Sequence, residues 1–176
     1  MNMRRHFELS MLKLLNEKSI DQITVNEIIC EVGSCKGTFY KYFMDKYDLC
    51  YYCIKNYIYS GISFDLEDWE TFISQYIGAF ERNSKIIINA FISNDLHSAR
   101  YYNEKMLTDV LSKFVARGGV DVTDKFYKCV LDSCGVFITS VVYNWMKENQ
   151  LTSKEELVRC IRYIMPHSIY GYVYKD

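Results

Sequence analysis

Residues 23–49 read ITVNEIICEVGSCKGTFYKYFMDKYDL. Thr24 followed three positions later by Glu27 has the pattern of a capping box, in which the hydroxyl accepts from the Glu27 amide and the carboxylate reaches back to the Thr24 amide. Val25, Ile28, Ile29 and Val32 then recur at helical spacing. Gly33 ends that helix, because glycine enters the left-handed region without steric cost. A second, shorter helix is expected over about 35–42, anchored by Phe39 and Phe43, with Lys36, Gly37, Thr38, Tyr40, Lys41 and Tyr42 on its outer face. Two helices joined by such a turn form a helix–turn–helix, whose second helix can enter a DNA major groove while the first braces it.

Outward from this stretch the chain reads as helical throughout. Upstream, Phe7, Met11, Leu14 and Leu15 fall on one face of a first helix, and the pattern breaks over 18–22. Downstream, Asp45 caps a fourth helix expected to reach about residue 60. Gly61 and Asp65 mark the next break. Further helices are expected near 66–82, 84–94, 96–117, 123–148 and 153–173, with breaks at Asn94 and Asp95, at Gly118 and Gly119, and at Leu151 to Ser153. Ser153 and Glu156 form another capping box, and Pro166 predicts a kink or stop within the last helix.

Composition bounds the rest. With 49% hydrophobic residues and one proline in 176, the chain can build a core and has little disorder character. Its net charge of −1, with eight Lys/Arg against seven Asp/Glu in residues 1–55, excludes a general nucleic-acid coat. No signal peptide opens the chain, and the apolar stretch over 136–145 is too short and too interrupted to span a bilayer. A cytoplasmic protein without a membrane role, carrying seven reduced cysteines, is therefore expected. The Cys50, Cys53 pair stands alone, without a second pair at zinc spacing, and reads as buried thiols. Cys129, Cys134 and Cys160 read as core. His6, His97 and His167 have no ligand partners at metal spacing. No phosphate loop, GxSxG elbow or HExxH is present, so no catalytic residue, metal or cofactor is expected.

The run Lys36, Gly37, Thr38, Phe39, Tyr40, followed by Tyr42, Phe43, Asp45, Lys46 and Leu49, resembles the DNA-binding module of TetR-family transcriptional regulators. The likeness covers roughly residues 5–55. A looser likeness to the family's two final helices lies in Gly135, Trp145 and the 153–157 segment. The resemblance implies an all-α fold: an N-terminal three-helix helix–turn–helix DNA-binding domain (1–46) and a C-terminal helical ligand-binding and dimerisation bundle (47–176). It places Thr24 and Asn26 near phosphates, Lys36, Gly37 and Thr38 near bases, and Tyr40, Tyr42 and Lys46 on the DNA backbone, with Lys41 on the same surface. Lys46 opens a helix, where a cation opposes the dipole, and a phosphate contact would explain it. Three departures stand out: Ser19 where the family often has Gly, Val32 for a common Ala, and Cys35 as the third-helix cap.

The same resemblance implies a homodimer through the last two helices, with Val130, Val136, Phe137, Val141, Trp145, Leu157, Ile161 and Ile164 as apolar surface. The dimer would bind a pseudo-palindromic double-stranded DNA operator, most simply as a repressor. A small-molecule effector of unknown identity would enter a cavity lined by candidates Tyr76, Phe80, Phe91, Tyr101, Phe114, Tyr127 and Phe137. Acidic residues there fall mostly on solvated faces and do not single out a cationic ligand. One competing reading takes Phe39, Tyr40, Tyr42 and Phe43 as a mere core stripe in an all-α bundle; another is a helical ligand-binding or protein-interaction module that keeps the TetR-like fold but has lost operator binding, a reading favoured by the near-neutral N-terminal part and the Cys35 cap. Exposure of the outer residues, and interleaving of Glu31 or Asp48 with Lys36, Lys41 and Lys46, separate these readings.

Overall fold

The structure, a computed structural model, describes residues 2–64, 68–149 and 151–174. Among these residues there are ten α-helices and no strand. Asp65 and the start of the helix expected over 66–82 lie outside the described residues. The chain forms two compact units, Met1–Ser60 with Arg82–Tyr102, and Gly61–Glu81 with Asn103–Asp176.

In the first unit, α1 (Met3–Leu15) buries Phe7, Met11, Leu14 and Leu15, the face read from the sequence. It packs against α2 (Val25–Val32), α4 (Lys46–Cys53) and α6 (Ser84–Phe91). Asn89 of α6 donates to the Leu15 carbonyl at 2.8 Å, satisfying an orphan acceptor at the α1 C-terminus. The α2 capping box is present: Glu27 N donates to Thr24 Oγ1 at 3.2 Å, and Thr24 N donates to Glu27 Oε2 at 2.8 Å. At its other end Gly33 has φ +66°, and the amides of Gly33 and Ser34 return to the carbonyls of Cys30 and Ile29. This Schellman closure turns the chain into α3 (Lys36–Tyr40).

Asp45 caps α4 as expected, accepting from the amides of Tyr47 and Asp48. The fourth helix does not continue regularly to residue 60, however. After Cys53 it widens into a π-helical stretch, Ile54–Ile58, and closes with a 3-10 turn, Tyr59–Gly61. The extra residue per turn rotates the phase, so Ile58 and Tyr59 face inward while Tyr57 is exposed.

The second unit is built on α5 (Trp69–Arg82), α7 (Ala99–Arg117), α8 (Lys125–Lys147), α9 (Lys154–Ile164) and α10 (His167–Val173), with the ends of α5 and α7 belonging to the first. Its core combines Trp69, Phe72, Ile73, Tyr76 and Phe80 with Leu107, Leu111, Ile138, Val142 and Ile161. Gly135 sets the approach of α8 to α7. A Cβ there would lie 2.5 Å from the Glu104 carbonyl oxygen and 2.6 Å from Thr108 Oγ1. At the centre Asn103 donates to the Tyr76 hydroxyl at 2.9 Å and to Thr139 Oγ1 at 2.8 Å, and Thr139 donates to the Gly135 carbonyl at 2.9 Å. The Ser153–Glu156 capping box is formed. The last expected helix breaks at Met165, and Pro166 caps α10.

Candidate nucleic-acid interface

The short α3 separates its residues as a recognition helix requires. Phe39 and Phe43 are buried and meet Phe7 with ring centroids 5.4 and 6.3 Å apart, both edge-on. Tyr40 and Tyr42 are 55% and 39% exposed. The four aromatics are therefore not one core stripe: two anchor the helix and two face solvent. Lys36, Gly37 and Lys41 are exposed, and Thr38 is half-buried. No atom lies within 4 Å of where a Gly37 Cβ would sit, so the surface is clear there. Cys35 is the N-cap in an extended conformation, without a side-chain bond to the helix amides. Its thiol lies 3.3 Å from Thr38 Oγ1, and that contact, followed by the local amides, lowers its pKa.

Thr24 and Asn26 are exposed at the start of α2, which packs against α3. The Thr24 hydroxyl is engaged by Glu27, accepting its amide and lying 2.9 Å from its carboxylate. Glu27 also pairs with Lys18; that bond first, then the amide and hydroxyl of Thr24, bring its pKa to about 2.

Lys46 is placed differently from what its sequence position suggests. Its Nζ donates to the carbonyls of Ile20, Asp21 and Ile23 at 2.9, 3.2 and 2.9 Å. All three ammonium hydrogens thus have backbone acceptors on the connection between α1 and α2. A partner that distant in sequence leaves no local signal. Glu31 does not interleave with the α3 lysines as an unpaired acid: it pairs with Lys13 and accepts from Ser10 at 2.9 Å. Asp48 accepts the Met44 amide at 2.9 Å. Lys36 and Lys41 are the outward cations of this surface.

The seven effector candidates are dispersed. Tyr76 and Phe80 are buried in the second unit, their rings 4.2 Å apart, and Phe114 is buried there too. Tyr127 and Phe137 are half-buried on α8, whereas Phe91 and Tyr101 belong to the first unit. Phe114 lines a cavity of about 150 Å³ with Asp68, Trp69, Glu70, Tyr172, Val173 and Tyr174. Alternation of aromatic residues along helices does not reveal this grouping, because three of its members come from α10 and the chain end.

On the last helices, Val136 and Ile164 are exposed, and Val130, Phe137 and Val141 partly so. Trp145, Leu157 and Ile161 instead are buried in the chain's own core, with Trp145 Nε1 donating to the Thr152 carbonyl at 2.9 Å. Phe126 and Tyr163, 60% and 91% exposed, add apolar surface that periodicity did not single out. Among the described residues α8 is the one helix long and apolar enough to cross a membrane by length and composition alone, a test that the core helix of a folded domain also passes, and Gly135 packs one of its faces on α7.

Cys50 and Cys53 are buried as expected, and burial raises the Cys50 thiol to about 12. Cys134 is buried, but Cys129 and Cys160 are exposed rather than core.

No family model matches the chain. It is 36% identical over 73 residues to an HTH-type transcriptional regulator of Staphylococcus aureus (strain bovine RF122 / ET3-1), a match spanning 42% of this chain and 34% of the relative. It is 42% identical over 52 residues to another of strain USA300, spanning 30% and 28%. The chain thus spans about a third or less of the length of these curated relatives. In structure it is similar to the dihydroxyacetone kinase operon activator DhaS, with a TM-score of 0.61 at 16% identity over 95% of this chain and 96% of that one. It is also similar to the fatty acid degradation regulator FadR from Bacillus halodurans, with a TM-score of 0.59 at 14% identity over 94% and 95%. The protein has the all-helical fold of these two regulators, and a segment of it is akin in sequence to helix–turn–helix regulators.

Proposed function

We propose that the protein is a TetR-like, DNA-binding transcriptional regulator, with residues 1–46 as the operator-reading head and the rest as the regulatory and dimerisation part. The observation that carries this reading is the division of α3 and the turn that follows it, with Phe39 and Phe43 buried and Lys36, Gly37, Tyr40, Lys41 and Tyr42 presented to solvent. The 52-residue match to helix–turn–helix regulators is about the length of such a head. In this reading Lys36, Gly37 and Thr38 approach base edges. Tyr40, Lys41 and Tyr42, with Thr24 and Asn26, contact phosphates. Lys46 holds the α1–α2 connection that leads into Thr24 and Asn26.

The protein acts as a cytoplasmic, non-enzymatic homodimer. Two heads about one helical turn of DNA apart read a pseudo-palindrome, and the exposed apolar surface of α8 and α9 forms the subunit contact. An effector that changes operator affinity tenfold must bind the two states with a difference of about 1.4 kcal/mol. The test is selection of bound fragments from genomic DNA, followed by titration of the selected site at fixed salt with the wild-type protein and Tyr40→Ala. Recovery of a symmetric site, with weaker binding by a folded Tyr40→Ala dimer, supports the reading. A folded dimer that selects no sequence favours the interaction module without operator binding.

A further inference from the structure

Resting on that regulatory reading, we infer that Lys18, on the connection between α1 and α2, is a positioning residue for the phosphate contact at Thr24 and Asn26. It touches no DNA and acts by cancelling the charge that Glu27 places beside that contact.

The difficulty it resolves is electrostatic. Glu27 caps α2: its Oε2 accepts the Thr24 amide at 2.8 Å and the Thr24 hydroxyl at 2.9 Å, while its own amide donates to Thr24 Oγ1 at 3.2 Å. These bonds fix a carboxylate one hydrogen bond away from Thr24. A phosphate oxygen resting on the same corner would lie about two hydrogen-bond lengths, or about 6 Å, from that carboxylate. Two like charges so placed in a largely aqueous setting cost about threefold to fivefold in affinity. The Thr24 hydroxyl gives its proton to Glu27 and cannot offset the repulsion by donating to the phosphate. Asn26, exposed beside it, keeps a side-chain amide for that purpose.

Lys18 supplies the missing cation. Its ammonium bonds to Glu27 Oε1, the oxygen that the cap leaves unused, so the carboxylate can close the helix and be neutralised at once. Lys18 does most to hold the Glu27 carboxyl down, ahead of Thr24. Its side chain is 28% exposed, against 64% for Lys13, which pairs with Glu31 one turn further along α2. Lys46 holds the same connection through the carbonyls of Ile20, Asp21 and Ile23, so Lys18 and Lys46 both turn inward. The pair carries no local signal, because its members are nine residues apart across the break between two helices.

The experiment is a double-mutant cycle on the full chain: Lys18→Met, Glu27→Gln and the two together. Affinity is measured at fixed salt for the site selected from genomic fragments and for a random-sequence duplex. Gln keeps the capping box, and each variant is checked for folding by circular dichroism. Lys18→Met is expected to weaken both complexes by about threefold to fivefold for each head, hence about tenfold or more for a dimer. In the Glu27→Gln background the same replacement is expected to change affinity by less than about twofold, since no carboxylate is left to neutralise. Equal losses in the two backgrounds make Lys18 a direct phosphate ligand and overturn the inference, as does full affinity in folded Lys18→Met. A nuclear magnetic resonance titration of Glu27 without DNA tests the pairing apart from the regulator reading. Lys18→Met should raise that carboxyl from about 2 towards its ordinary value, and an unmoved Glu27 overturns the inference. A wild-type chain that binds neither duplex removes the regulator and this role together, whereas binding with equal losses removes the role alone.

Discussion

Replacing Lys46 by Met separates a brace from a DNA ligand. In the structure the ammonium gives three hydrogen bonds to the carbonyls of Ile20, Asp21 and Ile23, all at 3.2 Å or less. A bond involving a charged partner contributes about 1.5–3 kcal/mol. Three bonds sharing one half-buried ammonium are not additive, and water can reach some of the freed carbonyls, so the total loss should be about 2–3 kcal/mol. For a chain of this size that lowers the melting temperature by about 4–12 °C. Lys46→Arg should not restore it, because a planar guanidinium cannot direct three donors at carbonyls converging on one point. The decisive assay pairs thermal unfolding with operator affinity measured across a salt series. Removing a single phosphate interaction reduces the slope of log K against log salt by about 0.9, hence about 1.8 for a dimer. A brace gives reduced stability with an unchanged slope. If Lys46→Met melts like the wild type while its slope falls by about 1.8, the bracing argument is wrong and Lys46 is a phosphate ligand.

Three further outcomes follow from the packing. Asn103→Leu removes the amide that donates to the buried Tyr76 hydroxyl and to Thr139 and should cost about 1–3 kcal/mol in urea unfolding, part of which Tyr76→Phe in the same chain should recover; additive losses would show that the two do not cooperate. Gly135→Ala forces a methyl against the Glu104 carbonyl and should lose about 1–3 kcal/mol, whereas Gly37→Ala, with open space around it, should leave stability within about 0.5 kcal/mol and weaken operator binding only. Glu27 is depressed to about 2 from an ordinary 4.5, so its contribution to the α2 cap is complete above about pH 4.5 and is lost as pH falls towards 2; Glu27→Gln should flatten that part of the stability–pH curve.

Much of the helical organisation is legible in the sequence because its signals are short-range. A capping box spans four residues, a Schellman closure needs one glycine beyond a helix, and a buried face repeats every three or four positions. Thr24 with Glu27, Gly33, Asp45, the Phe7–Leu15 face and the stop at Pro166 could all be read this way, and each appears in the structure. The division of α3 and the turn after it into buried Phe39 and Phe43 and exposed Tyr40 and Tyr42 follows from the same periodicity. The π-helical turn after Cys53 was not legible, since no local residue pattern distinguishes it from ordinary helix.

By itself, then, the sequence determined the helices, their caps and the face that α3 turns to solvent, because neighbours within a turn or two decide those features. Only the tertiary structure decided that Lys46 turns to the carbonyls of Ile20, Asp21 and Ile23, that Asn103 joins Tyr76 to Thr139, and that Trp69, Phe114 and Tyr174 share one cavity. Each of those pairings links residues more than twenty positions apart. Which partner a side chain reaches over that distance depends on how the helices pack, and no local propensity encodes it.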